Sequence, residues 1–396
     1  MSEWKKVKLK DCCHSISDGD HLPPPKSKSG IPFITIANID VTNHIDFGNT
    51  MFVPFEYYDN LNDIRKARCN DILYSVVGSF GKPVLIKENI PFAFQRHIAI
   101  LRPNNEIAES RFLYYIMLSR DFYMQADTVA IGAAQRTISL TALRNMEVEL
   151  PPMETQHRIA TILSRYDSLI ENYQKQIKLL EDAAQRLYKE WFVDLHFPGH
   201  ENTKIIDGVP EGWEKKTVSQ LGEYLNGFAF KPSDWQESGK PIIKIKEMGN
   251  GVSNDTPRNN GERVPAKYLV KAGDLLFSWS ATLMVIIWSG EEGWLNQHLF
   301  KVTPAKGIGR EFLLQSISNT IEEFQNLTTG STMKHIQRNK LDQVFVNVPD
   351  DEIMKLYSSI AEKEREEILY LSSQIRLLTE ARDRFLPRLV NGEFNV

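Results

Sequence analysis

The sequence predicts an α+β protein in which a mixed α/β domain followed by a long helix is used twice, the two helices pairing antiparallel as a coiled coil. Three observations predict it. The stretch from Glu154 to Phe192 contains neither Gly nor Pro, and its apolar residues return every three or four positions. A second such stretch runs from Asp351 to Leu386. The chain also repeats itself, with a constant offset of 198 residues toward its C-terminal end.

In the first stretch, Tyr166, Leu169, Tyr173, Ile177, Leu180, Ala184, Leu187 and Trp191 keep the 3.5-residue period of a helix with one seam against a partner. At ~1.5 Å per residue this helix would extend roughly 58 Å, the length of a spacer. Its partner is the second stretch, through Ile353, Tyr357, Ile360, Glu367 or Ile368, Leu371, Ile375, Leu378 and Phe385. Glu364 and Arg382 fall where apolar residues are expected, so polar contacts are expected to help set the register. Both helices are read as structural.

The repeat pairs Gly132 with Gly330, Ile138 with Ile336, Leu143 with Leu341, Pro151 with Pro349, Gln176 with Gln374 and Leu179-Leu180 with Leu377-Leu378. Upstream the offset drifts, pairing Gln95 with Gln297, Asp71 with Asp274, Gly30 with Gly239 and Trp4 with Trp213. The expected boundaries are a first domain at 1–152, a helix at 153–197, a second domain at 198–350, and a second helix with a short tail at 351–396. A breaker-rich linker, Phe197-Pro198-Gly199-His200 and then Gly208 to Gly212, joins the copies.

In order, the first copy opens with Trp4 and an alternating VKLKD, then a turn-rich segment from Ser17 to Pro25. Strands are expected at Gly30 to Asp40, Asp71 to Val77, Phe94 to Leu101 and Met146 to Leu150, and a helix at Arg111 to Met124. The second copy repeats this with strands at Ile242 to Ile245, Asp274 to Trp279, Leu283 to Trp288, His298 to Val302 and Phe345 to Val348, and a helix at Glu311 to Gln325.

A chain of 396 residues with 42% apolar content can fill two cores. Cys12, Cys13 and Cys69 form no disulfide framework, and a zinc site joining them to His14 or His21 lacks the usual spacing. MSEWKKVKLKD has no apolar signal core and no run reaches membrane length, so a cytoplasmic protein is expected.

Catalytic motifs are missing. GSFGK at Gly78 to Lys82 is too short for a phosphate-binding loop, and Pro83 stands where that loop needs Ser or Thr. Pro349-Asp350 with Glu352 and Lys355 has the residue types of a metal nuclease, but the acids open a helix, where Asp350 reads as an N-cap. No Asn or Asp precedes a Pro-Pro pair, as an amino-methyltransferase loop requires, and no glycine-rich turn suits a nucleotide cofactor. What remains is recognition. Each copy carries a Gly loop before its closing strand, Gly132 to Ile138 and Gly330 to Ile336. Small residues there would bring backbone N–H groups and a cation to a phosphate, with Gln available for a base edge; the other reading is an ordinary solvated loop.

These features together resemble the DNA-specificity (S) subunit of Type I restriction-modification enzymes. The resemblance spans essentially the whole chain. It is carried by DGDHLPPP, GIPFITIANID, NDILYSVVGSFGK, AGDLLFSWSA, the two Gly loops, LPPMETQHRIATIL and their duplicated order. It implies that each domain reads one half of a split double-stranded DNA site, that the paired helices fix the gap, and that two methyltransferase subunits dock on them, with motor-endonuclease subunits where restriction is present. This chain would be non-catalytic. S-adenosylmethionine, ATP and Mg²⁺ would belong to the partners.

The second copy departs at Gly227-Phe228-Ala229-Phe230-Lys231-Pro232, where no match to DGDHLPPP is found, and at Ser278 to Ala281, so the halves should read different sequences. Neither copy is basic. Residues 1–150 hold 17 Lys and Arg against 17 Asp and Glu, and residues 200–350 hold 17 against 18, so DNA contacts must come from local patches. The candidate contacts are His21, Lys26, Thr35, Asn38, Ser79, Lys82, Gln95, Arg96, Gln135 and Arg136, then Lys231, Lys244, Lys246, Ser278, Ser280, Asn296, Gln297, Lys334 and His335. The cations suit phosphates and the amides and hydroxyls suit bases, although Gln95 and Gln297 could instead be satisfied internally. Rival readings are an autonomous nuclease or methyltransferase, a scaffold or decoy that binds modification subunits without DNA, and the specificity subunit of a methyltransferase-only or fused nuclease-methyltransferase system.

Overall fold

The computed structural model describes residues 4–21, 23–40, 42–133, 135–327 and 338–394. It divides into two compact units, one running to Leu169 and resuming at Leu378, the other running from Ile170 to Leu377. The division falls inside both long helices, so each unit contains one end of each.

In the first unit, an antiparallel sheet orders its strands Cys13–Asp18, Ile98–Pro103, Ile72–Ser75, Pro83–Leu85. A three-stranded sheet sets Ile31–Ile34 between Met51–Val53 and Ala93–Phe94. Lys5–Lys8 pairs with Glu147–Leu150, Lys5 opposite Leu150. The basic opening is therefore a strand as far as Lys8, and the rest of VKLKD, Leu9–Asp11, closes into a 3-10 turn. The core joins Ile72, Tyr74 and Leu101 of the sheet to Phe112 and Leu113 of the helix Ser110–Leu118, to Ile159, Ala160 and Leu163 of the first long helix, and to Leu386 and Leu389 of the second.

The second unit repeats this plan. Its antiparallel sheet runs Gly222–Asn226, Leu299–Pro304, Leu275–Ser278, Met284–Ile287, and its mixed sheet runs Arg258–Asn259, Lys240–Ile243, Gly293–Leu295, Leu269–Val270. Glu214–Thr217 pairs with Phe345–Val348. The core centres on Phe192, whose ring lies 4.9 Å from those of both Phe312 and Tyr357.

The first long helix, Met153–Tyr188, runs on into a π turn, Lys189–Val193, that buries Trp191 and Phe192. The second runs Asp351–Val390, past Pro387 and beyond the expected end at Leu386. So near its C-terminus proline forfeits one backbone hydrogen bond, and burial of Leu386, Leu389 and Val390 holds the last turn. Asp350 caps this helix, its Oδ1 accepting from the N–H groups of Glu352 and Ile353 at 2.9 Å. Within the expected seam Leu169, Ile360 and Phe385 stay exposed, while Ala184, Ile368 and Leu371 are buried; Ile170, outside that seam, is buried next to exposed Leu169.

Of the two polar interruptions, Arg382 reaches across to the first helix, its Nη1 2.8 Å from Asp167 Oδ1, and the Tyr115 hydroxyl donates to Asp167 Oδ2 at 2.6 Å. Glu364 keeps a buried carboxylate oxygen with no hydrogen-bond partner. Desolvation, then the charge of Glu311, holds its carboxyl above the usual range.

Several elements are shorter than expected, each for a local reason. The strand expected over Gly30 to Asp40 stops at Ile34, because Asn38 Oδ1 accepts from Thr35 N at 2.9 Å and closes a 3-10 turn at Ile36–Asn38. The helix expected over Arg111 to Met124 breaks at Ser119, whose Oγ accepts from Phe122 N and caps a second helix, Arg120–Val129. Its counterpart breaks at Thr320 into Arg310–Asn319 and Ile321–Asn326. The strand expected over Phe94 to Leu101 is interrupted by a turn at Gln95-Arg96-His97.

Candidate nucleic-acid interface

That turn has a precise backbone frame. Gln95 N donates to Ile34 O at 3.1 Å, Ile98 N to Gln95 O at 3.1 Å, and Arg96 N to Asp20 O at 3.1 Å. The segment after strand Cys13–Asp18 clamps it from the side, with Gly19 N on Ile98 O at 3.2 Å and Asp20 N on Phe94 O at 3.1 Å. A Cβ at Gly19 would sit 2.1 Å from the Phe94 carbonyl oxygen, so only glycine permits the approach.

The second unit builds the same frame. Asn296 N donates to Ile243 O at 3.1 Å, Leu299 N to Asn296 O at 3.0 Å, Gly227 N to Leu299 O at 3.1 Å and Phe228 N to Leu295 O at 2.9 Å. A Cβ at Gly227 would sit 2.2 Å from Asn296 O. Two sequence expectations change. The counterpart of Gln95 is Asn296, so Arg96 matches Gln297 and His97 matches His298; pairing Gln95 with Gln297 followed residue type, not backbone role. Gly227 takes the place of Gly19, so the DGDHLPPP segment does have a counterpart in backbone terms.

The surroundings of the two turns differ. In the first unit His21 Nε2 is 2.8 Å from Asp18 Oδ2, and Arg65 lies 3.7 Å from both Asp18 and Asp20. The Tyr57 hydroxyl donates to Asp20 Oδ2 at 2.5 Å, and burial first, then this hydrogen bond, pushes its pKa up. In the second unit aromatic rings stand there instead. Phe228 packs on Phe230 at 4.9 Å and Tyr268 at 5.6 Å, Trp279 Nε1 donates to Asn226 Oδ1 at 3.2 Å, and Trp279 lies 5.9 Å from His298.

His21, Arg96 and Gln135 come together around one cleft of about 340 Å³, lined also by Asp18, His97 and Thr137. The sequence reading passed over His97 and His298; only their positions in the matched turns single them out. Lys26 and Ser79 are exposed, Lys82 is half-buried, and Ser75 Oγ ties the last two residues together by donating to Ser79 O and accepting from Lys82 N, each at 2.9 Å.

Arg136 is engaged by its own loop. Its guanidinium meets the Asp127 carboxylate and the Asp127 and Ala130 carbonyls and lies 5.4 Å from the Phe80 ring centre. Four candidates, Asn38, Ser278, Ser280 and Asn296, are buried, contrary to their expected surface role. Asn38 spends its side chain on Thr35 and on the Asn49 carbonyl, Ser278 Oγ donates to Thr282 O at 2.8 Å, and Ser280 lies beneath the same turn. In the second unit Lys231 is exposed, Lys244 Nζ lies over the Trp235 ring at 5.6 Å, and Lys246 pairs with Asp255 at 2.5 Å. That hydrogen bond from Lys246 brings the Asp255 carboxyl down to about 2. Lys334 and His335 lie outside the described residues.

A family model described as the Type I restriction modification DNA specificity domain matches residues 1–182 and 210–370. The chain belongs to this family. As a Type I specificity subunit it is 24% identical to that of the HindI enzyme of Haemophilus influenzae, over 99% of this chain and 100% of the relative. It is 26% identical to that of the MjaIX enzyme of Methanocaldococcus jannaschii, over 72% of this chain and 69% of the relative. The crystal structure of the S subunit from M. genitalium shares the fold, with a TM-score of 0.59 at 16% identity over 98% of this chain and 96% of that one. Among the described residues of this specificity subunit, no group of three or more His, Cys, Asp or Glu could hold a metal ion, and no helix is long and apolar enough to cross a membrane.

Proposed function

We propose that each unit of this specificity subunit reads one half of a split double-stranded DNA site, and that the paired helices set the gap between the halves. The observation that carries the reading is the duplicated turn. Two backbone frames with four hydrogen bonds in common carry different side chains, Gln95-Arg96-His97 in one and Asn296-Gln297-His298 in the other. A fixed frame that carries different side chains, Arg96 exposed in one turn and Gln297 half-buried in the other, suits two readers of different sequences. The exposed cations Lys26, Arg96 and Lys231 would hold phosphates or bases, and in a chain with a net charge of −4 much of the remaining affinity would come from partner subunits.

Those partners are two methyltransferase subunits, which would bring S-adenosylmethionine, and motor-endonuclease subunits, which would bring ATP and Mg²⁺. This chain would catalyse nothing itself. The test exchanges one domain, residues 1–150 or 200–350, for that of another specificity subunit and maps the methylated bases. One half of the recognised sequence should change and the other persist. Changes in both halves would refute the modular reading, and a complex that leaves no footprint on DNA would favour a scaffold.

A further inference from the structure

We infer that Arg96 and Gln297, the middle residues of the two matched turns, are base-reading residues, Arg96 for a guanine in one half-site and Gln297 for an adenine in the other. This rests on the proposed reading of a split site. Both residues hang from a turn whose ends are pinned by backbone hydrogen bonds and whose flank is closed by a glycine that tolerates no side chain. Their Cα positions are therefore set by the sheets, as a reader requires.

The chemistry differs between the two. Arg96 is exposed at the rim of the cleft shared with His21 and Gln135, and its planar fork matches the O6 and N7 acceptors that guanine presents in the major groove. Gln297 is held by its neighbour. The N–H of His298 donates to Asn296 Oδ1 at 3.3 Å, which turns the Asn296 amide so that its Nδ2 donates to Gln297 Oε1 at 2.8 Å. Asn296 is itself 5% exposed, so this relay sits on a buried support. The Gln297 amide is left with both Nε2 hydrogens and one lone pair of Oε1, side by side. That is the complement of adenine, whose N7 accepts and whose N6 donates. Asn296 is thus a positioning residue.

The experiment takes the full chain, wild type or carrying Arg96→Gln or Gln297→Arg, assembled with its modification subunits, and selects bound sequences from random duplex DNA. Arg96 is exposed and Gln297 half-buried, and a thermal melt checks that each variant folds. Arg96→Gln should replace one guanine by adenine in one half-site, with a discrimination of roughly tenfold, and leave the other half unchanged. Gln297→Arg should do the reverse in the other half-site. Asn296→Ala should blur the adenine preference without creating a new one. If the wild type selects a split site and both substitutions leave it unaltered, the inference is overturned while the split-site reading stands. If the wild type selects no sequence, both fall.

Discussion

The ion pair between Glu311 and Arg365 joins the helix Arg310–Asn319 of the second unit to the second long helix, and removing one partner should loosen that attachment. Glu311 is 1% and Arg365 6% exposed. Arg365 Nε donates to Oε2 at 2.8 Å and its Nη2 to Oε1 at 3.2 Å, while Gln315 Nε2 adds a third bond to Oε1 at 2.8 Å. Arg365→Ala would leave a buried carboxylate with one neutral donor, a loss of about 3–5 kcal/mol. Replacing both residues by Leu removes the charges together and should recover most of this, since a buried pair is often no more stable than an apolar substitute. Urea denaturation followed by tryptophan fluorescence measures it, because six of the seven tryptophans lie between Trp191 and Trp294, within this unit. With a urea m-value of about 2–3 kcal/mol/M, the Arg365→Ala midpoint should fall by about 1–2 M. A fall equivalent to less than about 1 kcal/mol, or a double variant worse than the single one, would refute the argument.

Glu364 offers a pH test. Its pKa is raised in the fold, so its contribution to stability is fully present below its unfolded pKa and is lost as pH rises through the folded value. Glu364→Gln should gain on the wild type as pH rises above about 4, by under about 1 kcal/mol because the residue is only half-buried, and a gain independent of pH would contradict this. Arg136→Ala should cost the first unit about 1–2 kcal/mol through the lost carbonyl and ring contacts, leaving the salt dependence of DNA binding unchanged; a slope reduced by about 1 would instead mark Arg136 as a phosphate contact. Four residues inserted near Gln174 would lengthen the first helix by ~6 Å and nearly restore its face, widening the mapped gap with both half-sites kept, whereas two would turn the seam by about half a turn and damage assembly. A gap unmoved by the longer insertion would make the helices a platform and not a ruler.

Features that depend on local periodicity were legible in the sequence. Met153–Tyr188 and Asp351–Val390 follow from long stretches free of glycine and proline, the second as far as Leu386, with a sustained apolar stripe, and even the polar interruption at Arg382 reads as a register contact, met by Asp167. The breaks at Ser119 and Thr320 were not legible, because the apolar pattern continues through them. At Ser119 it is the side chain's choice to cap the next helix that decides the break. Strands as short as Arg258–Asn259 and Leu269–Val270 carry little propensity of their own and exist because neighbours pair with them.

The candidate interface divides along the same line. Residue types suited to DNA could be gathered from the sequence, but their availability depends on partners far along the chain: Ser278 and Asn38 have the chemistry of base readers and are consumed by their own turns. Gly19 carries the opposite lesson. It sits in a segment that reads as an ordinary turn, yet what it excludes is the Phe94 carbonyl, and Gly227 does the same against Asn296. Once those two contacts are aligned, Arg96 falls on Gln297 although the residues differ. Difference in side chain at sameness of backbone is what a pair of readers for unlike half-sites requires, and comparing residue types alone hides it.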